Sequence, residues 1–109
     1  MGAVVFSEHA KKVLEVRRID ATKVSESIQT AEHRLYDVMG KTMVAVKKVQ
    51  IHGKMLGLIV IYTKLNGQYK VVTVFPSKNY VEHMQRKVKK GRWILIDAGA
   101  EPDEGSLRR

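Results

Sequence analysis

The chain has four histidines, His9, His33, His52 and His83, and no two of them share an H-x-x-x-H or similar ligand spacing. The acidic residues form no cluster that would meet at a strand end, so no metal is expected, and no cofactor is assigned. Cysteine is absent, which removes thiolate zinc sites, disulfides and a thiol nucleophile. No glycine-rich phosphate loop opens a helix, and there is no Gly-x-Ser-x-Gly elbow. What remains is histidine with arginine, lysine, tyrosine and threonine. That set suits metal-free cleavage of RNA: the ribose 2′-hydroxyl is the nucleophile, and the protein supplies a base, an acid and cations around the phosphorane. It is also a general-purpose inventory that many protein surfaces carry.

Three features stand out. His9 falls in the first turn expected of a helix, where a neutral imidazole could accept a proton, or could simply hydrogen-bond a neighbouring backbone group. Lys47 shares its parity with Met43, Ala45, Val49 and Ile51. Either a bulge turns it out of that apolar row, or a lysine projects from the row towards a cleft. The segment 78–93 holds Lys78, Arg86, Lys87, Lys89, Lys90 and Arg92 against the single acid Glu82, with Tyr80 and Trp93 near its ends. Its cations could track phosphates while the aromatics stack on unpaired bases. The plainer reading is an amphipathic helix packed on a sheet, with Trp93 in the core. Tyr62, Tyr69 and Thr73 read as core or rim, and His33, His52 and His83 as turn or surface residues.

These side chains need elements to position them. Val4–Phe6 reads as a short strand or an apolar lead-in, too short for a signal peptide. Ser7 can cap a helix on which Ala10, Val13, Leu14 and Arg17 recur at helical spacing, and Asp20 a second one that buries Ala21, Val24 and Ile28. From Arg34 the period changes to that of strands. Thr42 to Ile51 is β-branched and apolar apart from Lys47-Lys48. Leu56 to Thr63 is apolar on both faces, as in a central strand covered on both sides. Asn66-Gly67 between two β-rich runs predicts a type I′ hairpin, and Tyr69–Phe75 follows as a strand ended by Pro76. Tyr80, Val81, Met84 and Val88 line one face of a third, basic helix, and Trp93–Ile96 is a short apolar run suited to an edge. The fold class expected is α+β: two N-terminal helices packed on a four-stranded antiparallel meander, plus a basic C-terminal helix. Residues 1–96 are read as one domain and 97–109 as a flexible, charged tail.

Charge narrows the partner. The 109 residues contain 20 Lys and Arg against 11 Asp and Glu, a net charge of +9. The tail holds four of the acids, so residues 1–96 carry 18 basic and 7 acidic groups, or +11. Such a field attracts polyanions, nucleic acid first among them, or an acidic protein. No apolar run approaches the ~18 residues of a membrane span. Without cysteine or a span, a cytoplasmic home is expected.

Ser7-Glu8-His9-Ala10, followed by Arg17-Arg18-Ile19-Asp20, resembles the S-x-H-A … R-G-I-S start of an uncharacterised family of small prokaryotic domains. Val71-Val72-Thr73-Val74-Phe75-Pro76 is similar to that family's closing strand. The family is grouped with RelE- and BrnT-like toxins in the barnase/RelE-like ribonuclease superfold. The resemblance implies a metal-independent endoribonuclease, partnered by RNA and by an acidic antitoxin-like protein, with no nucleotide cofactor. It also implies that His9, Arg17 and Thr73 are site residues, with His9 as general base or acid. Arg17 and Lys47 would then stabilise phosphate charge, while Lys78, Tyr80, Arg86, Lys87, Lys89, Lys90 and Arg92 bind the RNA. Two positions depart from the family pattern: Val13 stands where a basic residue is frequent, and Arg18 where glycine is. The alternative is a non-catalytic module whose basic face docks an acidic protein.

Overall fold

In the computed structural model, which describes residues 2–96, two short polar segments set the start of the chain's helical layer. A strand, β1 (Val4–Phe6), leads into α1 (Glu8–Arg17) through Ser7. The Ser7 hydroxyl accepts from the Ala10 N–H at 3.0 Å and donates to the Val72 carbonyl at 2.9 Å, so the cap also ties the helix to the sheet. Arg18 ends α1 in the left-handed region, at φ 54°. Asp20 then caps α2 (Ala21–Gln29) by accepting from the Thr22 N–H. That bond, aided by Lys23, keeps the Asp20 carboxyl below the usual range.

The strands that follow are β2 (His33–Asp37), β3 (Thr42–Ile51), β4 (Lys54–Leu65) and β5 (Gln68–Ser77). Two hairpins join the last three. His52-Gly53 has φ of 51° and 78°, and Asn66-Gly67 has 52° and 77°. Both are two-residue loops with positive φ at each central residue, the twist that lets antiparallel strands leave a turn without splaying. After β5 come α3 (Tyr80–Lys89) and β6 (Trp93–Ile96).

The sheet corrects the expected fold. It is not a four-stranded antiparallel meander but a six-stranded mixed sheet in the order β1-β5-β4-β3-β2-β6, with β1 parallel to β5. The meander β2–β5 is its centre. Each of the meander's outer strands would have presented a row of unpaired N–H and C=O groups. The apolar triplet Val4–Phe6 pairs with Tyr69–Val71 on one side, and Trp93–Ile96 pairs with Arg34–Asp37 on the other. Both runs are too short to announce a strand by periodicity alone.

Helices cover both faces. On one, Ala10 of α1 and Val24 and Ile28 of α2 pack with Ala45, Leu58, Val60, Tyr62 and Val71. On the other, Met84 of α3 packs with Leu35, Val44, Val46, Ile59 and Trp93. Consecutive residues of β4 therefore alternate between two cores, as the pleat of a strand requires. Arg34 is the buried cation of the first core, 3% exposed. It donates through Nη1 to the Tyr62 hydroxyl at 2.6 Å and through Nη2 to the Ile28 carbonyl at 2.7 Å. The Ile28 carbonyl is one of the α2 C-terminal groups that the helix itself cannot satisfy. Among the described residues no helix is long and apolar enough to cross a membrane, and the expected tail, 97–109, lies outside them.

α3 can settle on its face because Gly57 of β4 has no side chain. A Cβ there would stand 2.2 Å from Cγ of Tyr80. Gly57→Ala should therefore lift the first turn of α3 and cost about 1–3 kcal/mol by overpacking. Urea unfolding reads this, with Tyr80→Ala recovering part of the loss in the double variant; unchanged stability in Gly57→Ala would contradict the packing.

Candidate functional site

The bulge in β5 makes the first cluster. Ile61 pairs with Thr73 and Tyr62 with Val71, so Val72 is an extra residue without a partner on β4. Its carbonyl is the one that Ser7 binds. Next to it, His9 Nε2 and Thr73 Oγ1 share a hydrogen bond of 3.2 Å, with the imidazole donating or accepting according to its tautomer. The pair is exposed, and it lies beyond the last register pair of β1, Phe6↔Val71, on the outer edge of β5. A histidine bonded to a hydroxyl can move a proton. The same bond also anchors the first turn of α1 to β5.

The other expected catalytic residues are not gathered there. Arg17 lies eight residues along α1, about 12 Å of helix rise from His9. Its carbonyl contacts His52 Nε2 at 3.0 Å, and its exposed side chain has no ion-pair partner among the described residues. Lys47 belongs to β3, two strands in from β5 and so about 10 Å away across the sheet. The β3–β4 ladder runs unbroken from Met43↔Tyr62 to Ile51↔Lys54. No bulge turns Lys47 out, and it projects from the apolar row on the side of α2. There its Nζ donates to the hydroxyl of Thr30, the C-cap residue of α2. Among these four residues only His9 and Thr73 touch.

The basic segment sits on the opposite face of the sheet. Trp93 is buried and not free to stack on a base, and Tyr80 is half-buried with one side against Gly57. Arg92 is held by Asp37, its Nε at 3.0 Å from Oδ1 and its Nη2 at 3.4 Å from Oδ2. Burial pushes the Asp37 carboxyl up, but the bonds from Arg92 and from the Gly40 and Met39 N–H groups outweigh it and leave the carboxyl below its usual range. Lys87 lies over the Trp93 ring, 5.9 Å from its centre. Lys78, Arg86, Lys89 and Lys90 remain exposed, without an ion-pair partner among the described residues.

Sequence reading missed three residues here. Asp37 could have been found from Asp37-Val38-Met39-Gly40, since its carboxylate accepts from the Met39 and Gly40 N–H groups as Asx turns do. Arg34 carried no signal, because a single basic residue in a strand pattern reads as exposed. His83, taken for a surface residue, is wedged between Phe75 and Trp93, with ring centres 5.7 and 5.5 Å away. Among the described residues no three His, Asp or Glu side chains come together as metal ligands. Comparison of the chain with family models, curated proteins and solved structures finds no match.

Burial between the rings, together with the charges of Lys87 and Arg86, holds the His83 imidazole below its ordinary value of 6.5. The unfolded chain therefore binds the proton more readily than the folded one. Stability is full above pH 6.5 and falls as pH drops from there through the lower folded value. Unfolding midpoints measured between about pH 7 and pH 5 should decline more in the wild type than in His83→Gln. Parallel declines in the two proteins would show that His83 carries no such linkage.

Proposed function

We propose that this chain binds RNA through its phosphates, without stacking on bases and without cutting the strand. The observation that carries the reading is the uncompensated charge on α3 and its approach. Lys78, Arg86, Lys89 and Lys90 are exposed, unpaired among the described residues, and accompanied on the helix by the single acid Glu82. Exposed cations of this kind release the counterions of a polyanion on contact, which is the dominant source of non-specific nucleic-acid affinity. RNA, rather than duplex DNA, is the polyanion implied by the resemblance of Ser7–Ala10 and Val71–Pro76 to RelE/BrnT-like domains. A cytoplasmic home accords with an RNA partner and a chain without cysteine. Arg92, committed to Asp37, and Tyr80, committed to Gly57, are not part of the proposed surface. The dispersion of His9, Arg17 and Lys47 supports binding over cutting, since a phosphorane needs its base and its cations within reach of one phosphate.

Fluorescence anisotropy with single-stranded RNA should show affinity that weakens as salt rises, with a slope of about 0.7 per neutralised phosphate. Arg86→Glu with Lys90→Glu should lower both the affinity and the slope, and affinity indifferent to salt would overturn the reading. Incubation with RNA in EDTA should leave the RNA intact. Cleavage that persists in EDTA and disappears in His9→Ala would replace simple binding by metal-independent ribonuclease activity.

A further inference from the structure

The sheet ends at β6, whose outward main-chain groups have no strand beside them among the described residues. Beside this edge runs a groove of about 540 Å³ between β6 and α3. Leu35 and Met84 form its buried floor, while Val81, Val88 and Leu95 are left 44%, 42% and 61% exposed along its walls. The apolar stripe of α3 is thus wider than the sheet covers. Residues 80 and 84 seat on the strands, and residues 81 and 88 overhang towards the edge. A free strand edge beside an aliphatic trough is the arrangement that accepts an added strand, main chain to main chain, with alternate side chains entering the trough.

We propose that this groove docks an extended, acidic segment of a partner protein, which pairs with β6 and seats aliphatic side chains against Val81, Val88 and Leu95. The charge follows from the rim. Among the described residues Lys89 and His33 line the groove and no carboxylate does, while Arg86 stands on the same helix and Lys90 is its C-cap. Nucleic acid fits poorly, because the walls are aliphatic and the nearby rings of Tyr80 and Trp93 are packed inward. A second copy fits poorly as well, since two α3 helices carrying Arg86, Lys87, Lys89 and Lys90 would be brought together. The inference does not rest on RNA binding; a chain with no affinity for RNA would dock the same segment.

The test is an NMR titration of the full chain with a peptide alternating leucine and glutamate. Amide shifts should be confined to β6 and to residues 81–89, and Leu95→Asp should weaken binding about tenfold, a loss of about 1.4 kcal/mol. Val88→Asp, at a second exposed position, should do the same. Equal binding of the alternating leucine–lysine peptide, or of oligoglutamate, would overturn the proposal, as would shifts centred elsewhere. So would a dimer of the free chain that Leu95→Asp dissolves, residues 97–109 already seated in the groove of the free chain, or an RNA oligomer whose binding Leu95→Asp abolishes. Loss of the peptide complex with RNA affinity intact would sink this proposal alone. Absent RNA affinity with the complex retained would sink only the RNA reading.

Discussion

The centre of the sheet is apolar on both faces, and most of the structure follows from the need to cover it. In β4, Leu58 and Val60 enter one core and Ile59 the other; in β3, Ala45 enters the first, and Val44 and Val46 the second. A bare sheet face would leave these aliphatic side chains in water, at a cost of about 25 cal/mol per Å². Two helices on one side cannot satisfy such strands. α3 has to take the other side, and Gly57 gives Tyr80 the space to do so. The return of the chain after α3 then delivers Trp93–Ile96 to the open side of β2, closing one edge of the meander and creating another.

Among the described residues, several polar side-chain contacts tie distant elements together. Ser7 joins the start of α1 to the bulge of β5, and Arg34 joins the end of α2 to Tyr62. Asp37 joins the β2–β3 turn to Arg92 at the approach to β6. Arg34 has no carboxylate partner among the described residues; a carbonyl at the negative end of α2 and a tyrosine hydroxyl take that place. The Tyr62 hydroxyl, buried itself, is pushed towards the neutral form, and the nearby guanidinium opposes that shift. Each bond spends a polar group on architecture that a sequence reading could have assigned to chemistry. Lys47, held by Thr30, and His9, held by Thr73, belong partly to this set.

The opposite placement of α1 and α3 separates two sets of residues that were expected to serve one ligand. His9 of α1 meets Thr73 at the outer edge of β5, beyond the end of β1, whereas the exposed cations stand on α3 and at its ends. The side of α3 away from its charged ridge overhangs a trough beside β6, which has no further strand alongside it among the described residues. One short helix therefore offers two kinds of surface, a charged ridge and an aliphatic flank.

Local rules in the sequence determined a good deal. Ser7 and Asp20 as caps, Asn66-Gly67 as a two-residue hairpin, the third helix around Met84 and the strand character of 42–75 all depend on residues within a few positions of one another. The charge surplus was equally plain, being a sum over the chain. What only the tertiary structure decided were relations between distant segments. The parallel pairing of Val4–Phe6 with Tyr69–Val71, the face taken by α3, the pairing of Arg92 with Asp37, the burial of Arg34 and the seating of His83 between two rings each join positions remote in the chain. No local period encodes them. A three- or four-residue strand gains its free energy from the edge that it covers, and a buried cation is tolerated only where a particular carbonyl and hydroxyl have already been brought together.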